Sequence, residues 1–189
     1  MLKRTLDFSH QLLKDSITIG ETVVDATCGN GNDTLVLSQL VGEEGFVLSF
    51  DIQTKAIKNT KQLLEENKCS NVSLINDTHA KVDEYLNEKN ISKIGGAIFN
   101  LGYLPRSDKK IVTKGESTIA AIQNALNYLK KNGLIVIVVY HGHYGGKEER
   151  DQILEYVIQL DQKEYNVLKY GFINQKNAPP FILAIENKL

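Results

Sequence analysis

Hydrophobic positions along this chain follow two different periods, and the switch between them recurs several times. Leu2, Leu6, Leu12 and Leu13, with Phe8 and Ile17, are spaced for an opening amphipathic helix within residues 1–20, packed on or beside a sheet. Short apolar runs then alternate with helical patterns. The runs at 22–26 (TVVDA), 45–51 (GFVLSFD), 71–76 (NVSLIN), 94–100 (IGGAIFN) and 133–140 (GLIVIVVY) read as strands. Residues 33–41, 54–67, 81–88, 116–131 and 147–160 read as helices. Ile57, Leu63 and Leu64 point inward from the second of these, and Ile119, Ile122, Ala125, Leu126 and Leu129 share one face of the fourth. GLIVIVVY is the most apolar run, as a central strand covered on both faces requires. Two strand-like runs, near 165–172 and 180–185, close the chain without a helix between them. This order predicts an α/β fold: a mostly parallel sheet, helices on both faces, and a final hairpin contributing an antiparallel strand.

Composition narrows this picture. A chain of 189 residues with 42% hydrophobic content supports one sizeable core, so a single domain over 1–189 is expected. A net charge of −1 carries no global signature of a polyanion or membrane binder, so any such partner must meet a local basic patch. Cys28 and Cys69 lack metal-ligand spacing and suit a reducing, cytoplasmic setting. Asp7 and His10 interrupt the apolar pattern of the N-terminus, which argues against a signal peptide or a membrane span.

Candidate chemistry gathers where strands end. Asp25-Ala26-Thr27-Cys28-Gly29-Asn30-Gly31-Asn32-Asp33 joins the first sheet strand to its helix, and ligands of open α/β sheets sit at such carboxyl ends. Gly29 and Gly31 permit a tight turn and close approach of a ligand to the backbone. Asp51, with Gln53 beyond it, ends the next strand, where a carboxylate can accept hydrogen bonds from a ribose diol. The loop lacks the third glycine of a dinucleotide fingerprint, and Asp25 precedes it. A carboxylate there repels a pyrophosphate but can hold an ammonium group. Asp33 reads either as a first-turn helix acid or as a ligand contact. Asp77, Thr78 and His79 read either as a capped helix start or as an adenine contact.

After the fourth strand, Asn100-Leu101-Gly102-Tyr103 combines an amide, a flexible turn and an aromatic ring. The Asn100 carbonyl and a backbone carbonyl of Leu101-Gly102 can accept N–H bonds from an amine, and Tyr103 can stack on a base, a contact worth about 1–3 kcal/mol. After the fifth strand, His141 and His143 can accept a proton from an ammonium, and Tyr144 can shape a base pocket. Two histidines two residues apart with no further ligand in reach give no metal site. Arg106, Lys109 and Lys110 form a basic run that is either a solvated face or a phosphate contact.

The acid-led glycine loop, the acidic end of the second strand and the terminal hairpin together resemble the class I S-adenosylmethionine methyltransferases. That resemblance implies a Rossmann-like, seven-stranded sheet and S-adenosylmethionine as cofactor, with S-adenosylhomocysteine as product and no metal. It assigns cofactor binding to Asp25, Thr27, Cys28, Gly29, Asn30, Gly31, Asn32, Asp33, Asp51, Gln53, Asp77, Thr78, His79 and Asn100. NLGY resembles the N-P-P-Y motif of amino-group methyltransferases, with Leu-Gly in place of the two prolines. The joint pattern DATCGNGNDT, FDIQ, FNLGYLP and HGHYGG is similar, end to end, to the small bacterial proteins of the rRNA methylase (YtqB-like) family. This closer resemblance implies N-methylation of 5-aminomethyl-2-thiouridine at the tRNA wobble position, on the anticodon stem-loop, by a homodimer. Asn100, Tyr103, His141 and His143 would then be catalytic. Leu101, Gly102, Tyr103, Arg106, Lys109, Lys110 and Tyr144 would meet the substrate. The residues by themselves leave open an acceptor on rRNA, a protein amine or a small molecule, and a nucleotide-binding protein without catalysis.

Overall fold

The computed structural model describes residues 1–102 and 113–189; Tyr103, Arg106, Lys109 and Lys110 lie outside the described residues. A helix α1 (Thr5–Ser16) precedes the alternation β1 (Thr22–Asp25), α2 (Asn32–Val41), β2 (Phe46–Phe50), α3 (Thr54–Glu66), β3 (Val72–Ile75), α4 (Val82–Glu88), β4 (Ile94–Leu101), α5 (Gly115–Tyr128), β5 (Leu129–Val139) and α6 (Gly146–Ile158), followed by β6 (Tyr165–Tyr170) and β7 (Phe181–Asn187). A 3₁₀ turn, His79–Lys81, leads into α4. The strands form one seven-stranded sheet in the order β3-β2-β1-β4-β5-β7-β6. All pairs are parallel except β5–β7 and β6–β7. The Rossmann-like sheet with its terminal hairpin is therefore the one expected from the strand pattern and the family resemblance.

Two apolar layers hold the sheet. Leu13 of α1 with Leu37 and Val41 of α2 cover one face, against Val23, Ile98, Val136 and Val138. Val82 and Leu86 of α4, Ile122 and Ala125 of α5, and Ile153 and Val157 of α6 cover the other, against Val24, Phe99 and Ile137. Burial of each large aliphatic side chain stabilises by about 1.5–3 kcal/mol, and every residue from Ile135 to Val139 is buried. That is why this run lacks strand-period alternation.

Two details differ from the sequence pattern. Helical spacing puts Leu129 on α5, but the helix ends at Tyr128 and Leu129 already pairs with Ile94 of β4. A register shift separates that pair from Gly96–Leu134, and Asn132 inside it has φ +61°. The irregularity places Lys130 so that its Nζ bonds Glu21 Oε1 at 2.6 Å and the Ser16 carbonyl at 2.9 Å, tying the end of α1 to the sheet. Leu2, ahead of α1, and Leu6 within it are exposed, and Thr5 and Ser9 face inward beside Leu13. Small residues there let the helix lie close over the hairpin, where Thr5 Oγ1 donates to the Pro180 carbonyl and the Phe8 and Tyr170 rings stand 4.2 Å apart.

β1 and β4 are the strands between which the chain order reverses, so their carboxyl ends, Asp25 and Asn100, open onto the crevice where α/β sheets take ligands.

Candidate active site

The loop between β1 and α2 closes tightly over the sheet. Gly29 and Gly31 take φ +55° and +86°. A Cβ on Gly31 would stand 2.9 Å from the Thr60 Cα, so α3 can pack this closely only against glycine. Gly31 N–H donates to the Cys28 carbonyl at 2.7 Å, and Thr60 Oγ1 to the Gly29 carbonyl at 3.2 Å. Asp51, at the end of β2, accepts from Gly29 N–H at 3.0 Å and from Gln53 N–H at 2.9 Å. Burial raises its carboxyl above the ordinary range, and these two amides partly offset that. The carboxylate thus sits directly beside the glycine loop.

Asp25 lies underneath this loop and is fully buried. Its oxygens accept from Thr27 N–H at 3.1 Å and from Thr34 Oγ1 at 2.6 Å, and Thr34 Oγ1 also lies 2.8 Å from Ser49 Oγ. Burial, with help from the neighbouring Asp33 charge, pushes its pKa up to about 7. Cys28, buried in the same loop, is pushed up to about 12 by burial and by Asp25, so its thiol stays protonated and unreactive at neutral pH.

A cavity of about 960 Å³ opens in front of the loop, near the upper end of the roughly 300–1,000 Å³ usual for small-molecule sites. Thr27, Cys28, Gly29, Asn30, Asn32 and Asp33 line one side. Asn100, Leu101 and Gly102 line another, and Tyr140, His141 and His143 a third. Leu6, Asp7 and His10 of α1 complete it. Two carboxylates line this space, Asp7 and Asp33, and Asp33 is the one that reaches Asn100. Its Oδ1 lies 2.5 Å from His10 Nε2, and its Oδ2 accepts from Asn100 Nδ2. The Asn100 main-chain N–H donates to Thr27 Oγ1 at 2.7 Å, which locks the β4 end to the loop. A carboxylate on one side of the amide fixes its orientation, leaving Oδ1 buried and without a partner among the described residues.

His141 Nε2 lies 3.2 Å from the Pro179 carbonyl, which requires Nε2 to carry the hydrogen and leaves Nδ1 as an acceptor, buried and without a described partner. Burial lowers the pKa of His141, as it does for His143. Behind Gly102, the segment is anchored through Thr113. Gly102 N–H donates to Thr113 Oγ1 at 3.0 Å, and Thr113 Oγ1 donates to Glu149 Oε2 at 2.7 Å. Glu149 is buried on α6, takes a second bond from Thr118, and is raised by that burial.

The expected site residues therefore separate. Thr27 to Asn30, Asn32, Asp33, Asn100, Leu101, Gly102, His141 and His143 meet around one cavity, Gly31 packs instead against Thr60, and Asp51 and Gln53 stand beside the loop. His79 is a core residue: Nδ1 donates to the Ala26 carbonyl at 2.9 Å, burial lowers its pKa, and its ring packs edge-on to Phe99. Thr78 caps the 3₁₀ turn by accepting from Ala80 N–H, and Asp77 accepts from Thr78 N–H and is held low chiefly by its bond from Lys81, with Tyr85 also donating. Tyr144 projects into solvent at 95% exposure and does not line the cavity. Tyr140, His10 and Glu149 carried no sequence signal as site residues. Only the strand-end position of Tyr140, next to His141, could have marked it. No cluster of three His, Cys, Asp or Glu side chains suited to a metal occurs among the described residues, and no helix among them is long and apolar enough to cross a membrane.

Residues 47–186 match the protein family described as "Putative rRNA methylase", and residues 4–83 also match the protein-L-isoaspartate(D-aspartate) O-methyltransferase family. A crystal structure of a "putative rRNA-methylase" from Clostridium thermocellum superposes with a TM-score of 0.95 at 44% identity, covering 99% of each chain. A "putative methyltransferase" from Streptococcus mutans, solved with S-adenosylhomocysteine, superposes with a TM-score of 0.90 at 38% identity, again over 99% of each chain. The chloroplastic tRNA (mnm(5)s(2)U34)-methyltransferase of Arabidopsis thaliana is 36% identical over 98% of this chain and 70% of its own length. The chain belongs to the "Putative rRNA methylase" family and is an S-adenosylmethionine-dependent methyltransferase.

Proposed function

We propose that the chain N-methylates the primary amine of 5-aminomethyl-2-thiouridine at the tRNA wobble position, giving the 5-methylaminomethyl group. The observation that carries the amine is the Asn100 amide: it is held by Asp33 with Oδ1 buried, unpartnered among the described residues and beside the cavity. A carbonyl so placed accepts an N–H and turns the nitrogen lone pair away from itself, which suits an amine and has nothing to offer a hydroxylate. The similarity to the Arabidopsis wobble-uridine enzyme over nearly the whole chain supports the choice of amine.

The residues fit the cofactor. Thr27 to Asn32 supply a backbone cradle at the switch point, and Asp51 keeps lone pairs for the ribose hydroxyls beyond its two amide bonds. Asp77 and Thr78 stand at the β3 end for the adenine. Asp25 braces the cradle from beneath, where both of its oxygens are engaged. When bound, the cofactor supplies an electrophilic methyl group on a sulfonium. The chain's own task is to present a neutral amine in line with that methyl. An alkylammonium must first lose a proton, and His141 Nδ1 takes it, because burial keeps this imidazole neutral and its other nitrogen is tied to Pro179. Tyr140 provides an aromatic wall, and Tyr103 stacks on the base. Arg106, Lys109 and Lys110 contact phosphates of the anticodon stem-loop. The working form is a homodimer, supported by apolar side chains exposed at the hairpin edge, Val167 and Leu168 among them.

Asn100→Ala tests the reading. Losing a hydrogen bond to a polarised amine, worth about 1.5–3 kcal/mol, predicts a drop in kcat of at least about 10- to 150-fold. Affinity for S-adenosylmethionine stays within about threefold, because the cradle does not depend on the amide. Both are read from methyl transfer to an anticodon stem-loop carrying 5-aminomethyl-2-thiouridine and from calorimetric titration. Unchanged kcat would remove Asn100 from the chemistry.

A further inference from the structure

Asp33 is shared. One oxygen takes the Asn100 amide and the other takes His10, a side chain from a helix outside the alternating core. His10 lines the cavity at 33% side-chain exposure, on the turn of α1 that faces the loop. Its ring is therefore neither a solvated surface group nor a core filler. An asparagine amide has two orientations of nearly equal shape, and only one presents its carbonyl to an amine. The opposite orientation would present an NH₂ that bonds the amine's lone pair, the electrons that must attack the methyl group. What selects between them is whether the neighbour demands a donor, and a carboxylate held in this position makes that demand.

We propose that His10 is a positioning residue which, by pairing with Asp33, keeps that carboxylate aimed as an acceptor so that the Asn100 carbonyl faces the acceptor amine, a role that rests on the reading of Asn100 as the amine holder. The groups facing His10 agree with it. Asp33 comes from α2, Asp7 lies one turn back on α1, and Asp25 lies at the end of β1. All three are acids, and the Asp33 bond is the largest reason that the imidazole holds its proton more tightly than usual, against a burial that acts the other way. Tyr140 faces Asp33 from the end of β5, and its phenol is raised, chiefly by burial, so it stays neutral. His141 and His143 line the same cavity and are shifted in the opposite direction. The cavity thus holds, on the α1 side, an imidazole fixed to Asp33 that keeps its proton more tightly than usual, and on the β5 side two imidazoles that burial shifts the other way.

A charge-assisted hydrogen bond biases an amide flip by about 10- to 100-fold, which sets the size of the effect. His10→Ala is expected to lower kcat about 10- to 50-fold, with calorimetric affinity for S-adenosylmethionine within threefold. His10→Gln keeps a donor near Asp33 and is expected to recover most of kcat, while flattening the alkaline limb of the kcat–pH profile, where a wild-type His10 with a raised pKa gives up its proton. The readout that a merely structural role would not move is the Asn100 side-chain amide in ¹H–¹⁵N spectra of the substrate-free protein. Its proton bonded to Asp33 should lie downfield in the wild type, move upfield in His10→Ala, and return in His10→Gln. An Asn100 signal and kcat both unchanged in a folded His10→Ala overturn the proposal. So does a tenfold loss of cofactor affinity with kcat at saturation intact, which makes His10 a cofactor clamp. If the wild type transfers no methyl to the aminomethyl-uridine stem-loop while the amide signal still follows His10, the proposed substrate fails and the relay stands.

Discussion

Asp25→Asn separates the brace from the binding site. In the wild type the carboxyl is raised to about 7 against an ordinary 3.8, so at ~1.4 kcal/mol per pH unit its ionisation costs about 4 kcal/mol more in the fold than in the unfolded chain. A raised acid contributes stability that is fully present below pH 3.8 and is lost as pH rises, until about 7, above which the contribution is flat. The asparagine cannot ionise, and its geometry fits: Oδ1 accepts from Thr27 N–H, and Nδ2 donates to Thr34 Oγ1, which passes its own hydrogen to Ser49. The variant should therefore gain on the wild type by about 2–3 kcal/mol between pH 5 and pH 7. Urea unfolding of both proteins at pH 5, 6, 7 and 8 measures this. The difference cancels titrating groups that do not feel the Asp25 charge, His141 among them. Cofactor affinity should change less than threefold. A stability difference that shrinks as pH rises, or a tenfold loss of cofactor binding, would refute the assignment of Asp25 as a buried brace.

Gly31→Ala meets the Thr60 Cα at 2.9 Å and a φ of +86°, so it should cost about 1–3 kcal/mol in chemical denaturation and weaken cofactor binding more than tenfold. Calorimetry checks the second effect, and a Gly31→Ala protein with wild-type affinity would show that the loop can relax. Glu149→Ala leaves Thr113 and Thr118 without their acceptor and should cost about 1–3 kcal/mol. It should also lower kcat, because Thr113 anchors Gly102, while cofactor affinity stays unchanged in the same titrations.

Most of the sheet was legible because β1, β2 and β4 carry apolar runs bounded by glycine or polar turns, and because a loop of the Gly29–Gly31 kind announces a βα junction. The missed boundary at Leu129 has a local cause. Residues 116–131 keep helical apolar spacing through Leu129, and only pairing with Ile94 pulls that residue into the sheet. Helix α1 departs from its pattern for a related reason: spacing marks its largest apolar side chains as the packed face, yet Thr5 and Ser9 face inward since the hairpin lies so near. In the site, residues joined to a strand end were readable by position. Those acting across space were not. His10 meets Asp33 at a separation of 23 residues, and Thr113 meets Glu149 at 36, with no periodicity linking either pair. The two acids of the glycine loop were both visible, but which one lies beneath the loop depends on Thr34 and Ser49 turning inward together.

The reversed direction of β7 has an effect on what this chain can become. Because Phe181 pairs with Val139, the segment before β7 is carried back to the ligand end of the sheet, where Ala178 borders the cavity and Pro179 holds His141. Residues 173–178 are exposed, whereas the cofactor loop and its supporting acids lie between residues 25 and 79. On the site assignment proposed above, residues near one end of the chain hold the methyl donor while a stretch near the other borders the amine. Substitutions in that stretch can retune which amine is admitted without disturbing the part that delivers the methyl group, and a new substrate preference can arise before any loss of fold.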